Sequence, residues 1–213
     1  MPKAAEKKIV RGNPERTREL ILKASLDEFA ANGYGGGRIE EIAKKAGVNK
    51  QALYYHFDSK DGLYRATLEY GYELVRSFDR APEGSDAPPA ARLADLIGDY
   101  FDNVLEHQNV VALVAEENRL QGRHLDDSAV VSSVNAPFVE RVATIYREGV
   151  QDGSFRKEVD PHQLWITIVS EAQFYVSNIY TISHILKSDV RSAEMIARRK
   201  AHIIDFTLAG LRP

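Results

Sequence analysis

The stretch IEEIAKKAGVNKQALYYHF, residues 39–57, decides the fold of this chain. Apolar residues recur at helical spacing up to Gly47, and glycine is the residue at which helices most often end. After the glycine, Asn49 can cap a second short helix that runs to Phe57. Two short helices joined by a tight turn are typical of a helix-turn-helix, so the stretch predicts this motif.

The second helix of this motif has an inner face and a free face. Its inner face carries Leu53 and Phe57, which can pack against Ile42 and Val48 and fix the angle between the helices. Its free face offers a cation, an amide, a methyl group and aromatic tips, which suit contacts to both phosphates and base edges of DNA. The residues of the free face are Lys50, Gln51, Ala52, Tyr54, Tyr55 and His56.

The flanking sequence adds a helix on each side of the motif. Upstream, Asn13 followed by Pro14 is a cap with a first-turn proline, and the apolar pattern then continues to Gly33. Downstream, Asp58 or Ser59 can cap a fourth helix, which we expect to run to about residue 80. The first three helices together predict a compact domain in front of the rest of the chain.

Three segments of this region resemble the tetracycline-repressor (TetR) family of transcriptional regulators: ILKASLDEFAANGY (21–34), IEEIAKKAGV (39–48) and LYYHFDSKDGLY (53–64). The resemblance spans residues 13 to about 64. It implies a DNA-binding domain whose expected base contacts are Lys50, Gln51 and Ala52. The expected phosphate contacts are Arg38, Asn49, Tyr54, His56 and Lys60. Tyr54 has an alternative role as half-buried packing.

This chain departs from the family pattern at two places. Family members usually have Ser or Thr just before the second helix, where this chain has Gly37 and Arg38. Arg38 can replace the missing hydroxyl as a phosphate contact. In the recognition helix, Gln51 and Ala52 stand in place of the usual Gly-Thr pair, so the operator sequence of another member does not transfer.

The remaining chain also has helical patterns, interrupted by the proline-rich stretch PEGSDAPP (82–89). We expect further helices at 90–107, 110–121, 126–134, 137–151, 161–187 and 191–211. No stretch shows the alternation of a strand. The sequence therefore predicts an all-α protein of about nine helices, with a basic flexible arm (1–12), a helix-turn-helix DNA-binding domain (13–62) and an effector-binding and dimerisation domain (63–213).

The net charge also differs between the amino-terminal part of the chain and the remainder. Residues 1–60 carry 12 Lys and Arg against 8 Asp and Glu, a net charge of +4, whereas the remaining residues carry 16 against 23, a net charge of −7. A basic head on an acidic body is expected if only the head meets phosphate.

The body is expected to form a homodimer and to hold a small-molecule effector. Between Leu164 and Leu186 apolar residues cover more than one helix face, which favours packing on both the protomer's own core and a partner. The family resemblance implies that the last two helices form the interface. The interface residues expected here are Ile168, Phe174, Ile203 and Phe206, and the effector contacts expected are Tyr100, Asn118, Gln173 and Tyr175. Alternatively, these polar residues only satisfy buried hydrogen bonds or face solvent.

Other functional classes find little support. The chain has no cysteine, and it has no GxxxxGK, GxSxG or HExxH motif. We expect no enzyme activity, cofactor or metal, and we expect no signal peptide or membrane span, which favours a cytoplasmic protein. The sequence thus predicts a sequence-specific regulator of transcription, a repressor released from duplex DNA by an effector. An enzyme and a helical adaptor for protein contacts are the alternatives.

Overall fold

The structure, a computed structural model, describes residues 13–78, 86–125 and 128–213. Within these ranges it contains ten α-helices and no β-strand, which confirms the all-α prediction. The expected basic arm (1–12) lies outside the described residues. The helices are α1 (Pro14–Gly36), α2 (Ile39–Ala46), α3 (Lys50–Phe57), α4 (Lys60–Arg76), α5 (Pro89–Glu106), α6 (Gln108–Arg119), α7 (Ala129–Gln151), α8 (Pro161–Ser177), α9 (Ile179–Leu186) and α10 (Ala193–Leu211).

The head consists of α1, α2 and α3. The two short helices begin and end where the sequence predicts, whereas α1 continues past its expected end at Gly33, where the backbone is not helical, to Gly36. The Asn13 side chain accepts a hydrogen bond from the Glu15 amide at 3.0 Å, and Asn49 accepts one from the Ala52 amide at 2.9 Å. Gly47 ends α2 in the left-handed conformation, with φ of 70°. These local signals determine where α1 and α3 begin and where α2 ends.

The core of the head fixes the angle between α2 and α3. Phe29 and Ile42 are completely buried, and Leu53 and Phe57 are buried beside them. Each such side chain stabilises the fold by about 1.5–3 kcal/mol when it leaves water. This packing confirms the inner face predicted for α3 and leaves its opposite face outside.

Three of the predicted helices differ from the structure, since two of them merge and one is divided. The helices expected at 126–134 and 137–151 form one helix, α7, which continues through Pro137. Pro137 and Ser133, whose carbonyl loses its helical partner, are both exposed, so water can replace the missing bond. The helix expected at 161–187 is divided at Asn178, whose side-chain amide donates to the Phe174 carbonyl at 3.0 Å and competes with the backbone.

The body is built around α5, with α4, α7, α8 and α10 packed against it. Its centre contains the completely buried side chains of Tyr100, Phe101 and Phe138. α6 lies between the two parts of the chain, because it packs against α1 of the head as well as against α4 and α8. The predicted domain boundary at 62/63 falls inside α4 and stays a prediction.

Candidate DNA interface, head-body junction and body cluster

The free face of α3 is open to solvent. Tyr55 is 82% exposed and Tyr54 is 41% exposed, and Lys50 and Gln51 are also exposed. Ala52 is only half-exposed. The expected base-contacting residues thus lie together in the first turn of α3, where Lys50 and Gln51 are more open to solvent than Ala52.

Lys50 is held beside a carboxylate in the free protein. Its Nζ atom lies 2.6 Å from Oε1 of Glu40 on α2, and it stands 5.9 Å from the centroid of the Tyr54 ring. The Glu40 carboxylate raises the pKa of Lys50, so the amine stays protonated. Both side chains are more than half exposed, and such surface pairs exchange readily because water screens them. The amine can therefore leave Glu40 for a phosphate or a base edge.

The expected phosphate contacts occupy different positions around this face. Arg38 is the exposed residue that precedes α2, and no side-chain bond caps that helix. Asn49 uses its side-chain oxygen to cap α3, which leaves its amide group for another contact. His56 is half-buried between the rings of Tyr55 and Phe57.

Lys60 extends away from α3 toward the end of α1. Its Nζ atom lies 5.0 Å from the centroid of the Tyr34 ring and 3.4 Å from the carbonyl oxygen of Gly35. The side chain is half-exposed, so its cation can still turn toward a phosphate.

Close packing explains why a glycine, Gly37, stands just before α2. A Cβ atom on Gly37 would lie 2.4 Å from Cδ1 of Phe29, the completely buried ring at the centre of the head. The hydroxyl residue usual in the family therefore cannot stand at this position without moving that ring. This close approach accounts for the departure at Gly37.

A buried carboxylate supports the start of α2. Glu28 on α1 is 3% exposed, and it accepts hydrogen bonds from the Lys45 amine at 2.8 Å, from the Asn32 amide at 3.1 Å and from the Arg38 backbone at 3.4 Å. The bond from Lys45 is the main reason that the pKa of Glu28 lies below its usual range. Sequence reasoning missed Glu28, because its partners Arg38 and Lys45 stand 10 and 17 residues further along the chain.

Head and body meet at the end of α1. The Tyr34 backbone amide donates to Oε1 of Glu116 on α6 at 3.1 Å. Gly33 has φ of 67°, and a Cβ atom there would lie 2.8 Å from the same carboxylate oxygen. Arg119 forms a second bond to Oε1 at 2.7 Å. A glycine at this position thus lets the chain turn directly against the body.

A group of buried polar residues, the junction cluster, lies beside this contact. His124 and Glu117 are 3% and 1% exposed, and Nδ1 of His124 donates to Oε2 of Glu117 at 2.9 Å. The other ring nitrogen lies 3.4 Å from Oδ1 of Asp61 on α4, which also accepts a hydrogen bond from the Tyr34 hydroxyl at 2.6 Å. That hydroxyl is the main cause that lowers the pKa of Asp61.

The junction cluster also contains aromatic rings. The imidazole of His124 lies 4.9 Å from the Tyr34 ring and 4.7 Å from the completely buried Tyr64 ring. Residues of α1, α4 and the segment after α6 thus form one interlocked contact. Sequence reasoning missed it, since no spacing signal links residues 34, 61, 117 and 124.

Two of the four expected effector contacts come together in the body. Tyr100 is completely buried, and its hydroxyl oxygen accepts a hydrogen bond from the Gln173 amide at 3.0 Å. Asn118 instead lies exposed on α6, where its amide bonds to the Val114 carbonyl. Tyr175 is buried elsewhere and donates to the Val190 carbonyl, which ties α8 to the segment before α10.

Sequence reasoning also missed an arginine beside Tyr100. The guanidinium carbon of Arg76 lies 5.3 Å from the centroid of the Tyr100 ring and 4.7 Å from that of Phe138. Its Nε atom donates to Oδ1 of Asn135 at 2.8 Å. We call this group, together with Gln173, the Arg76 cluster.

The expected dimer residues fall into two pairs. Ile168 and Ile203 are each 1% exposed in the protomer, so their prediction as interface residues is wrong: they belong to the protomer's own core. Phe174 and Phe206 are 61% and 62% exposed. The other large apolar side chains exposed on α8 and α9 are Ile166, Tyr180, Ile185 and Leu186.

A cleft of about 440 Å³ opens in this region, between α8, α9 and α10. Its lining is mostly apolar, and three basic side chains, Arg198, Arg199 and His202, stand at its α10 side. In the described part of the chain, no helix is long and apolar enough to cross a membrane, and no cluster of side chains is suited to a metal ion.

Comparisons with known proteins agree with this architecture. Residues 21–67 match the model of bacterial regulatory proteins of the tetR family, and residues 89–207 match the model of the tetracyclin repressor-like C-terminal domain. The transcriptional repressor NicS of Pseudomonas putida is 32% identical over 93% of both chains. The regulator RutR of Escherichia coli is 26% identical over 92% of this chain and 91% of its own.

Solved structures show the same fold. A TetR-family regulatory protein from Rhodococcus RHA1 superposes with a TM-score of 0.73 at 21% identity, covering 92% of this chain and 97% of its own. FadR from Bacillus subtilis, solved in complex with stearoyl-CoA, has a TM-score of 0.66 at 17% identity, covering 91% and 99%. The chain belongs to the TetR family of transcriptional regulators.

Proposed function

We propose that this protein is a homodimeric repressor that occupies a duplex DNA operator and leaves it when a small molecule binds the body. The observation that carries the proposal is the face of α3, where Lys50, Gln51 and Tyr55 stand exposed above a buried inner face. Such a helix can enter the major groove while the rest of the head contacts the backbone. The name of the relative NicS, a transcriptional repressor, supports repression as the outcome.

Base reading is assigned to Lys50, Gln51 and Ala52. A lysine suits the acceptors of guanine, a glutamine suits the paired donor and acceptor of adenine, and an alanine methyl suits the thymine methyl group. Phosphate contact is assigned to Arg38, Asn49, Tyr54, His56 and Lys60, because these residues lie within or next to the helix-turn-helix and offer donors. Tyr55 joins them as a further candidate because of its exposure.

Dimerisation is supported by the apolar side chains that α8, α9 and α10 leave exposed, in particular Phe174 and Phe206. A patch of this kind is expected to be covered, since large exposed apolar patches mark interaction sites. A dimer presents two heads, which gain affinity and register on two half-sites. We expect the dimer to act in the cytoplasm, where the operator is accessible.

Effector binding is assigned to the body around Tyr100 and Gln173, where polar groups converge among aromatic rings. The structural neighbour FadR was solved in complex with stearoyl-CoA. That ligand belongs to FadR, but the complex supports ligand binding in a body of this fold. Arg76 lies in the last turn of α4, and Asp61 of the junction cluster lies in the first turn of the same helix. A ligand that moves α4 therefore changes the seating of the head and the separation of the two recognition helices.

The test is the enrichment of duplexes from a random pool by the full-length protein. We expect one preferred sequence that is an inverted repeat. The variant Lys50→Ala/Gln51→Ala, which removes two of the three assigned base contacts, should lose most of this preference, whereas the matched control Glu140→Ala on an exposed face of α7 should retain it. Enrichment of no sequence by the wild-type protein would contradict the proposal and favour a helical adaptor.

A further inference from the structure

Arg76 is a cation without a carboxylate partner in the described part of the chain. Its Nε atom bonds to Asn135, but its Nη1 atom is buried and has no hydrogen-bond partner there. None of the ion pairs formed between described residues includes it. A guanidinium has five N–H donors and cannot give up its charge, so an unsatisfied one is costly inside a protein.

The surroundings of Arg76 do not remove this cost. The faces of Tyr100 and Phe138 attract the cation, but ring faces do not replace a hydrogen-bond acceptor in the guanidinium plane. The Tyr100 oxygen accepts a bond from Gln173 and also bonds to the Arg76 side chain, but Nη1 of Arg76 stays without a partner among the described residues. Phe78 closes the group on another side, with its ring centroid 5.4 Å from that of Phe138 and 5.7 Å from that of Tyr100. The cluster thus combines an open donor with apolar walls.

We propose that the Arg76 cluster binds a small organic carboxylate, whose oxygens accept hydrogen bonds from the guanidinium of Arg76 and whose apolar part lies among the rings of Phe78, Tyr100 and Phe138. The inference rests on the proposed function, because it names the chemical class of the effector. A carboxylate matches the fork of the guanidinium in shape and charge. Asn135 holds the guanidinium in place, because its Oδ1 atom accepts the bond from Nε at 2.8 Å.

Two features of the Arg76 cluster narrow the chemical class of its ligand. Arg76 is the one cation that contacts the Tyr100 and Phe138 rings within the described residues, so the cluster offers one positive charge and suits one negative charge. The three adjoining aromatic rings favour an apolar remainder and disfavour a sugar phosphate or another strongly hydrated anion.

The experiment compares carboxylates with their uncharged amides on the full-length protein. The probes are benzoate, cinnamate and octanoate, each at millimolar concentration beside benzamide, cinnamamide and octanamide, and the readouts are the Tm and the Kd by calorimetry. We expect at least one acid to raise the Tm and its amide to leave it unchanged, because a ligand of the folded state stabilises it.

Arg76→Gln should weaken binding of that acid about thirtyfold or more, since a buried charge pair is lost. The matched control is Arg147→Gln, which removes an exposed cation of α7 that pairs with Glu140, and it should bind the acid as the wild type does. Arg76→Lys keeps the charge without the fork and should bind with intermediate affinity. This variant also keeps the test decisive if Arg76→Gln does not fold.

Three results would overturn the inference: no acid raises the Tm, acid and amide raise it equally, or Arg76→Gln retains the full effect. The DNA enrichment described above separates this failure from that of the proposed function. A wild-type protein that selects an operator but ignores every carboxylate would contradict only the ligand class. A protein that selects no DNA would contradict the proposed function itself, whatever it binds in the body.

Discussion

The head and the body place their charged groups in opposite environments. On the head, Lys50 and Glu40 pair at the surface, where both are more than half exposed and can separate at little cost. In the body, Arg76 directs a buried donor at no acceptor among the described residues. The first arrangement suits contact with a large, charged and hydrated partner such as DNA. The second suits a small partner that brings the missing acceptor into the protein.

Salt should affect the two regions differently, and this is the largest effect we expect. If the two heads neutralise about six to ten phosphates, DNA affinity should fall about a thousandfold or more between about 50 and 200 mM salt, because counterions are released. Deleting residues 1–10 should flatten the slope of log affinity against log salt without changing the preferred sequence. Fluorescence anisotropy at several salt concentrations measures both.

The control for this prediction is Arg147→Gln in the body, which should leave the slope unchanged. A body variant that flattened the slope as much as the arm deletion would show that the body also contacts DNA. The division between head and body would then be wrong.

The junction cluster should couple the stabilities of the two regions. Glu117→Leu or His124→Leu alone should lower the free energy of unfolding by about 3–5 kcal/mol, because each leaves a buried polar partner unsatisfied. The double variant should lose less than the sum of the two. Urea unfolding of all three variants gives the interaction energy.

An exposed ion pair is the matched control for this cycle. Glu140→Ala and Arg147→Ala remove a pair whose side chains are more than half exposed. Neither change should shift the midpoint of urea unfolding, because water screens such a pair. Additive effects at Glu117 and His124 would argue against a paired junction.

Glu28 tests the acid stability of the head. Because its pKa is lowered in the fold, its contribution is present above the ordinary carboxylate range and is lost as pH falls through the folded pKa. Glu28→Gln should cost about 1.5–3 kcal/mol at neutral pH and less at low pH. Urea unfolding at a series of pH values measures this, with exposed Glu19→Gln on the same helix expected to follow the wild type.

Gln51→Ala should have the smallest effect on overall binding and the most local one. We expect a loss of about 1–3 kcal/mol of discrimination at one base pair in each half-site, with other positions unchanged. Sequencing of duplexes enriched by the variant and by the wild type measures the difference. An unchanged preference would remove Gln51 from the base-reading set.

The sequence predicted the head well because its signals are local. Asn49, Gly47 and the buried Leu53 lie within a few residues of one another, so capping and helical spacing identify the motif without long-range contacts. The same spacing placed Lys50 and Gln51 on the free face. Glu28 escaped this reasoning, since its partners lie farther along the chain, Arg38 just before α2 and Lys45 within it.

The body was harder to predict because its contacts join distant segments. Tyr100 and Gln173 were expected to contact an effector and do meet, but Arg76 and Asn135 come from two further helices, and no periodicity connects them. Periodicity also cannot distinguish a protomer's own core from a dimer interface. For this reason Ile168, on the same helix as exposed Phe174, was assigned wrongly.

In the proposed dimer, the two heads read two half-sites on the same face of the duplex. The most direct measurement is the affinity for the enriched operator after insertion of about five or about ten base pairs between its half-sites, that is, half a helical turn or a full one. We expect a large loss of affinity with the half-turn insertion, because the second half-site then faces away from the second head. Equal affinity for the original and the half-turn operator would show that the two heads do not read the duplex in this way.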